Sequence, residues 1–348
     1  MKLGVNLGYF GSGMDEDILV LAQEADRLGY DCAWVAEAYG SDAPTVLSWI
    51  GATTQQIGLG AAVLQIPARS PAMTAMTAAT LDFLSDGRFR LGLGVSGPQV
   101  SEGWHGVRFA NPLGRTREYV DVVRMALHRE RVAYAGKHLT LPLPDGPGKA
   151  LRLTVKPVRP QIPVYLAAVG PKNLALTGDI ADGWLAILFS PEHSADHIAT
   201  IAEARRAAGK GTAEEPLAGF DVVANLPVCL TDDLEVARAA IAPYCALYIG
   251  GMGSKEQNFY NQLARSMGFE EEAETIQELY LAGRVRDAAD HVPLDFVDTT
   301  ALIGSPSRVS SRIARYADVG VTSLSVTPVA PDRSGRLATL AALRPMVD

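Results

Sequence analysis

Two patterns of apolar and polar positions alternate along the chain: short apolar runs and longer segments with helical periodicity. Short apolar runs such as residues 2–8, "KLGVNLG", precede longer segments with the period of an amphipathic helix, such as 15–29. The helical segment 15–29 has acidic residues in its first turn and a glycine at its end, which are common helix boundary signals. This order predicts repeated βα units and a parallel sheet.

Eight apolar runs are predicted to be strands. They fall at residues 2–8, 30–37, 57–65, 89–96, 162–170, 182–189, 220–230 and the end of 306–329, with helical patterns between them. Eight strands in this alternation favour an α/β fold, the (β/α)8 TIM barrel, over a doubly wound sheet. We expect one domain spanning residues 1–348, with a hairpin and loop insertion at about 131–160 and a mainly helical insertion at about 244–291.

Composition narrows the class of protein. Apolar residues make up 48% of the chain and charged residues 20%, and no window is long and apolar enough for a membrane span. The start of the chain lacks the pattern of a signal peptide, so a cytoplasmic protein is expected. The formal net charge of −8, with no basic run, opposes nucleic-acid binding and favours a small-molecule partner. Cys32, Cys229 and Cys245 are far apart and are expected to be reduced core residues.

In a TIM barrel the chemistry lies at the carboxyl ends of the strands. Five unusual stretches follow predicted strands one to five: "GYFGSG", "EAYGSDAP", "QIPARSP", "GVSGPQVSEGWHG" and "VGPKN". Gly92, Gly94 and Gly97 in the fourth stretch and its strand remove side chains where a flat ligand could lie, although small residues also relieve crowding inside a barrel. The spacing does not match a Rossmann glycine motif.

Two positions could bind anions. Gly170 and Pro171 open a predicted helix whose free N–H groups suit a phosphate, and Lys172 adds charge, although an ordinary βα turn has the same form. Arg69 precedes another helix and could serve a second anionic group or face solvent.

Glu37 ends the second strand and is the preferred acid/base candidate, because partial burial at a barrel mouth can tune a carboxylate for proton transfer. The alternative is a structural carboxylate paired with an arginine. His105 is a second candidate of lower rank. No motif suggests a metal site or a serine nucleophile.

The stretches "GYDCAWVAEAYGSDA", "ARSPAMTAMTAATLDFLSDGRFRLGLGVSGPQVSEGWHG", "PVYLAAVGPKNLALTGDIADGW" and "ALYIGGMG" resemble the luciferase-like flavin and deazaflavin oxidoreductases, in particular their coenzyme F420-dependent branch. The resemblance implies a barrel that holds the F420 ring at its rim and moves a hydride to or from the ring. It also implies a homodimer and a non-proline cis peptide bond at Ala62–Val63.

The same resemblance implies roles for individual residues. Val63, Leu64 and Gln65 would border the ring together with Ala62, and the loop Gly94–Gly97, including Ser96, would flank it. The backbone of Ala167, Ala168, Gly170 and Lys172 would hold the phosphate, with Arg69 among the cofactor residues. Independently of the resemblance, aromatic walls are common in ligand pockets, so the substrate side is expected to be lined by Tyr9, Phe10, Tyr39, Trp104, His105 and Tyr248, with Gln99 and Glu102 beside them. The alternative for the aromatic residues is a packing role.

One departure from the family pattern bears on the reaction. Some alcohol and sugar-phosphate dehydrogenases of this branch have an acid followed by histidine after strand two, whereas this chain has Glu37 and Ala38. This favours reduction of an activated C=C or C=N bond of a small organic substrate. The alternatives are an FMN-dependent luciferase-like monooxygenase and a non-catalytic flavin-binding relative.

Overall fold

The computed structural model describes residues 1–9, 15–159, 161–253, 255 and 258–347. Eight parallel strands form its barrel. They are β1 (Lys2–Gly8), β2 (Cys32–Val35), β3 (Gly58–Ala61), β4 (Phe89–Gly94), β5 (Val164–Ala167), β6 (Gly183–Ile187), β7 (Asp221–Leu230) and β8 (Ser323–Pro328). Each strand pairs with the next, and β8 pairs with β1 through Lys2↔Ser323 to Val5↔Val326, which closes the barrel. The predicted (β/α)8 fold is confirmed.

Helices surround the barrel. Those before the helical insertion are α1 (Ile18–Arg27), α2 (Ala43–Thr53), α3 (Pro71–Leu84), α4 (Pro98–Gly103), α5 (Pro112–Leu127), α6 (Pro171–Ile180) and α7 (Ala195–Ala207). Then follow α8 (Leu234–Ala246), α9 (Phe259–Ser266), α10 (Glu270–Leu281), α11 (Val285–Asp290), α12 (Leu294–Thr300), α13 (Pro306–Asp318) and α14 (Arg333–Leu343). Ser70 caps α3 as predicted, because its side chain accepts a hydrogen bond from the N–H of Met73 at 3.1 Å.

Some predicted boundaries were wrong. The third strand is not continuous over 57–65, since it breaks after Ala61 and resumes as Leu64–Gln65, with a cis peptide bond at Ala62–Val63 between the two parts. The fifth strand spans Val164–Ala167 rather than residues 162–170. A short strand that was not predicted, Leu302–Gly304, pairs with the end of β7. The helical pattern also runs on to Thr300, beyond residue 291.

Large side chains from β2 and β5 fill part of the barrel interior. Trp34 and Tyr165 are buried and pack edge to face with ring centroids 5.3 Å apart. Gly60 makes room for them, because a Cβ there would lie 2.1 Å from the Trp34 ring. Because side chains fill this part of the interior, a site is expected at the carboxyl ends of the strands, as in other TIM barrels.

Residues 234–303 build a second apolar core beside the barrel. It includes Ile241, Ile249, Ile276 and Phe296 from the helical insertion. The segment Leu247–Gly251 between α8 and α9 is a π-helix, a form that is often found at functional sites. In the part of the chain that the structure describes, no helix is long and apolar enough to cross a membrane.

A hairpin lies at the side of the barrel. Tyr134–Ala135 pairs antiparallel with Thr140–Leu141, within the segment predicted to be an insertion. The three cysteines are buried and form no disulfide, as expected.

Candidate functional site

Glu37 lies just beyond β2 and is buried, with 9% of its surface exposed. Its carboxylate accepts hydrogen bonds from the N–H groups of Gln65 at 2.9 Å and Ala43 at 3.2 Å, and it forms an ion pair with Arg69. These three contacts join the loops after β2 and β3 with the start of α2. They match the structural alternative considered for this residue, and its part in proton transfer stays a prediction.

Arg69 is held between two carboxylates. One nitrogen contacts Glu37 and the other lies 2.5 Å from Asp42, which also caps α2. Burial acts to lower the pKa of Arg69, but the two carboxylates outweigh it and the pKa is raised. The charge of the Arg69 guanidinium group is therefore already compensated by Glu37 and Asp42.

Gln65 connects the two predicted catalytic residues. Its N–H donates to Glu37, and its side-chain oxygen lies 3.0 Å from Nε2 of His105 in the loop after β4. With the amide oxygen as acceptor, Nε2 of His105 carries the proton and Nδ1 is the remaining polar atom of the ring. The structure therefore brings Glu37, Gln65 and His105 into one hydrogen-bonded chain.

The cis peptide bond at Ala62–Val63 is present as predicted, and it lies against β4. A Cβ on Gly94 would be 2.5 Å from Cγ2 of Val63, so Gly94 allows Val63 to sit at the rim beside Leu64. Gly92 is explained by crowding, since a Cβ there would lie 1.9 Å from the carbonyl oxygen of Ala61. Gly97 differs, because its Cβ would meet no atom within 4 Å.

The loop after β4 continues the rim. Ser96 has a φ of 60°, a left-handed conformation that turns the chain into Gly97 and the unpredicted helix α4. Glu102 accepts a hydrogen bond from the N–H of Phe109 at 3.0 Å and so closes this loop on itself. Gln99 and Trp104 are exposed, the latter by 65%.

The predicted phosphate position lies after β5. Ala167 ends the strand, and the carbonyl of Ala168 accepts a hydrogen bond from the indole of Trp184 at 2.9 Å. Gly170 is the N-cap of α6, and a Cβ there would meet no atom within 4 Å. Lys172 is exposed in the first turn. Open space therefore lies in front of a helix start whose first N–H groups lack intrahelical partners.

Tyrosines of the helical insertion form a phenolic wall, and they pack against the same apolar cluster as Val169 of the turn after β5. The ring of Tyr248 packs against Tyr244 on one side and Tyr260 on the other. The ring centroids are 4.9 Å apart in the tilted pair with Tyr244 and 5.0 Å apart in the edge-to-face pair with Tyr260. Besides burial, Tyr39 and Tyr280 both act to raise the pKa of Tyr9, which places the loops after β1 and β2 near the helical insertion. Phe10, also predicted here, lies outside the described residues.

Burial changes the chemistry of this wall. It raises the pKa of Tyr260 to about 12 and that of Tyr9 above its usual range, so both phenols are neutral at physiological pH. The hydroxyl of Tyr244 is buried without a hydrogen-bond partner among the described residues. Tyr280 packs across Gly250 and Gly251 of the π-helix, where a Cβ would lie 2.5 Å or less from its side chain.

Sequence reasoning missed several of these residues. Tyr244, Tyr260 and Tyr280 come from an insertion whose position relative to the barrel no periodicity reveals. Asn6 and Asn225 were also missed, and their side chains hydrogen-bond at 2.8 Å between β1 and β7. A signal for this pair existed, because each asparagine stands between apolar neighbours in the middle of its strand.

No group of three or more His, Cys, Asp and Glu side chains is placed to hold a metal ion in the described ranges. The candidate site consists of a rim with a braced loop after β3, an open glycine turn after β4, a helix start after β5 and a phenolic wall.

Comparison with known proteins identifies the family of this chain. The family model described as luciferase-like monooxygenase matches residues 11–323. A protein of Mycobacterium tuberculosis, named as a proposed coenzyme F420-dependent oxidoreductase, is 43% identical over 345 residues, which is 98% of this chain and 99% of that protein. The 5,10-methylenetetrahydromethanopterin reductase of Archaeoglobus fulgidus is 27% identical over 89% of both chains.

The fold has a close match among solved structures. The F420-dependent tetrahydromethanopterin reductase of Methanopyrus kandleri superposes with a TM-score of 0.84, at 24% identity, over 99% of this chain and 98% of its own. The predicted family, barrel and enzyme class agree with all of these matches. With a family model over most of the chain and a relative at 43% identity over nearly all of it, this protein belongs to the luciferase-like monooxygenase family.

Proposed function

We propose that this enzyme is a coenzyme F420-dependent oxidoreductase that reduces an activated C=C or C=N bond of a small organic substrate. The observation that carries the proposal is the 43% identity to the mycobacterial relative over the full chain, because that protein is named for F420. The reductase direction is supported by the name of the archaeal relative and by Ala38, which stands where some dehydrogenases of the branch have histidine.

The residues at the rim fit a flat ring with an anionic tail. Gly97 and Gly170 each leave open a volume that a Cβ would fill, one beside the ring position and one in front of the α6 N-terminus. Helix N-termini attract phosphate through free N–H groups and the helix dipole. We assign the phosphate to the backbone of Ala167, Ala168, Gly170 and Lys172, and the ring to the space between Val63–Gln65 and Gly94–Gly97.

When bound, F420 supplies the hydride. The chain's own residues position the substrate, exclude water and move a proton. Gln65 holds His105 by Nε2, which leaves Nδ1 as the atom that can exchange a proton with the substrate. The predicted substrate-side residues Tyr9, Tyr39 and Tyr248 would shield the substrate from water. Gln99, Glu102 and Trp104 would lie at the outer edge of this group.

We further propose that two copies associate through α2 and α3. Trp49, Met73, Met76, Phe83 and Leu84 are all at least 48% exposed, and the four on α3 recur at helical spacing on its outer side. Contiguous exposed apolar side chains of this kind mark association surfaces.

Cofactor choice is tested by titrating the purified chain with F420 and, separately, with FMN while following tryptophan fluorescence. Micromolar binding of F420 with at least tenfold weaker binding of FMN is expected. Gly170→Leu fills the open volume before α6 and should weaken F420 binding at least tenfold without lowering the melting temperature.

The matched control is Gly146→Leu, which adds the same side chain to an exposed loop outside the rim. It should leave F420 binding unchanged. Tighter binding of FMN would move the function to an FMN-dependent monooxygenase, and binding of neither cofactor would leave a non-catalytic relative.

A further inference from the structure

A second cavity lies outside the barrel, under the loop that follows β4. Its volume is about 420 Å³, which is within the range of small-molecule sites. The 66–71 segment forms one side, Ser101 of α4, the loop 107–110 and the start of α5 form another, and the hairpin tip at His138 and Leu139 closes it. Its lining includes Arg69 and also Val95, from the loop Gly94–Gly97, but none of the residues assigned to the phosphate after β5, so it adjoins the proposed cofactor site.

Three arginines line this cavity, and their charges are compensated differently. Arg69 is paired with Glu37 and Asp42, and Arg108 lies 3.4 Å from Glu102. Arg115 is half-buried, and its one recorded partner is the carbonyl oxygen of Arg108 at 3.4 Å. Among the described residues, no carboxylate lies within ion-pair distance of Arg115. The cavity thus has one guanidinium group whose charge is not neutralised.

The start of α5 adds polarity of the same sign. Its N-cap residue, Asn111, makes no side-chain capping hydrogen bond, so the first N–H groups of this 16-residue helix stay open. His138 packs over this first turn, with Nε2 2.8 Å from where a Cβ on Gly114 would be. Glu118 fixes the tip by accepting hydrogen bonds from the N–H groups of residues 137–139, and it faces His138 from the same helix.

The rest of the lining is largely apolar. Val95, Val107, Phe109, Pro112 and Leu139 contribute to it. A phosphate alone would leave these surfaces in contact with water, whereas an apolar body attached to one anionic group would cover them. A carboxylate matches the planar fork of a single arginine, which can hold it by two hydrogen bonds.

We propose that this cavity binds a small carboxylic acid with an apolar body, with its carboxylate on Arg115 at the start of α5 and its body against Phe109 and Val107. The proposal does not rest on the proposed function, because its anchor, Arg115, is assigned no part in holding the cofactor. The cavity touches the cofactor position through Arg69, which lines the cavity and also braces Glu37.

The test is calorimetric titration of the full chain, without cofactor, with decanoate as the probe. Saturable binding with one site per chain is expected, and Arg115→Gln should weaken it at least tenfold. Arg115→Lys keeps the charge but loses the two-pronged hydrogen-bond geometry. Its affinity for decanoate should therefore lie between that of the original chain and that of Arg115→Gln. Inorganic phosphate, which has charge without an apolar body, should bind at least tenfold more weakly than decanoate.

Arg117→Gln is the matched control, because Arg117 lies on the same helix but pairs with Asp179 outside the cavity. It should leave decanoate binding unchanged, and the melting temperature of each variant shows that the chain is folded. Three outcomes would overturn the proposal. Decanoate could bind equally to the original chain and to Arg115→Gln, its binding could be weakened equally by Arg115→Gln and by the control Arg117→Gln, or it could show no saturable binding up to 1 mM. F420 titration of Arg115→Gln keeps the two proposals apart, since it should be unchanged.

Discussion

Glu37 shows how a residue's neighbours decide its role. Position alone suggested a proton carrier, because the residue follows an apolar strand at a barrel mouth. Its partners lie 6, 28 and 32 positions away, at Ala43, Gln65 and Arg69, and no local pattern connects them. A buried carboxylate with three such contacts holds the loops after β2 and β3 together, and this is the role that its geometry favours.

We expect Glu37→Gln to destabilise the protein by about 2–4 kcal/mol, because removing one partner of a buried ion pair leaves the other uncompensated. Arg69 keeps Asp42, which places the value at the lower part of the usual range. Thermal unfolding and denaturant titration measure the change. F420 affinity should fall in parallel, since the N–H of Gln65 loses its charged acceptor.

Asp42→Asn is the control for this substitution. The Asp42 side chain is half exposed, so its ion pair should contribute less than about 1 kcal/mol, and asparagine can still cap α2. An unchanged melting temperature in Glu37→Gln, combined with slower turnover, would instead restore Glu37 as a proton carrier.

At the scale of elements, predictions failed where the physical signal is short or interrupted. The run 57–65 is apolar throughout, so nothing in its period announces the break between Ala61 and Leu64, and only the family resemblance supplied it. The strand Leu302–Gly304 has three residues, too few for a period of two to be recognised. Longer helices such as α3 and α6 were placed well because capping and proline signals accompany their patterns.

The hairpin beside α5 allows a test by pH. Its tip is anchored by Glu118, whose carboxylate accepts N–H groups of residues 137–139 at 2.7–2.8 Å. Burial acts to raise the pKa of Glu118, but these hydrogen bonds lower it by more, and the pKa is below its usual range. A lowered pKa in the folded state contributes stability above the unfolded pKa of about 4.3, and this contribution is lost as the pH falls through the folded value.

We therefore expect the difference in unfolding free energy between the original chain and Glu118→Gln to be constant from about pH 8 to pH 5 and to shrink below about pH 4. Urea denaturation at each pH measures it. Amide hydrogen exchange at residues 137–139 should also be faster in the variant. A difference that persists unchanged to pH 3 would contradict this assignment.

At the scale of the whole molecule, the barrel was the most predictable feature. Eight alternations of strand and helix leave few topologies, and right-handed crossovers reduce them further. The placement of residues 234–303 was not predictable, because their apolar faces fit several orientations against the rim until side chains are packed. The same holds for the candidate site. Its loops after the barrel strands could be predicted from the sequence, whereas the tyrosines of the insertion could not.

The exposed side of α3 makes an assembly prediction. Phe83→Asp places a charge among Met73, Met76 and Leu84, and it should convert a dimer to a particle with the mass of one chain. Sedimentation velocity measures the mass over a range of concentrations. Leu151→Asp, which alters an exposed apolar residue elsewhere, should leave the mass unchanged. A monomer in the original chain at high concentration would exclude this interface.

The closure of the barrel has a consequence for synthesis of the protein. β1 pairs with β8, and Asp17 before α1 forms ion pairs with Arg333 and Arg336 of α14, so the first and last parts of the chain depend on each other. On the ribosome one edge of β1 has to wait until residues 323–328 of β8 have emerged. The nascent protein thus carries an unpaired strand edge for more than three hundred residues of synthesis, and a chaperone that shields such edges would act mainly before β8 is released.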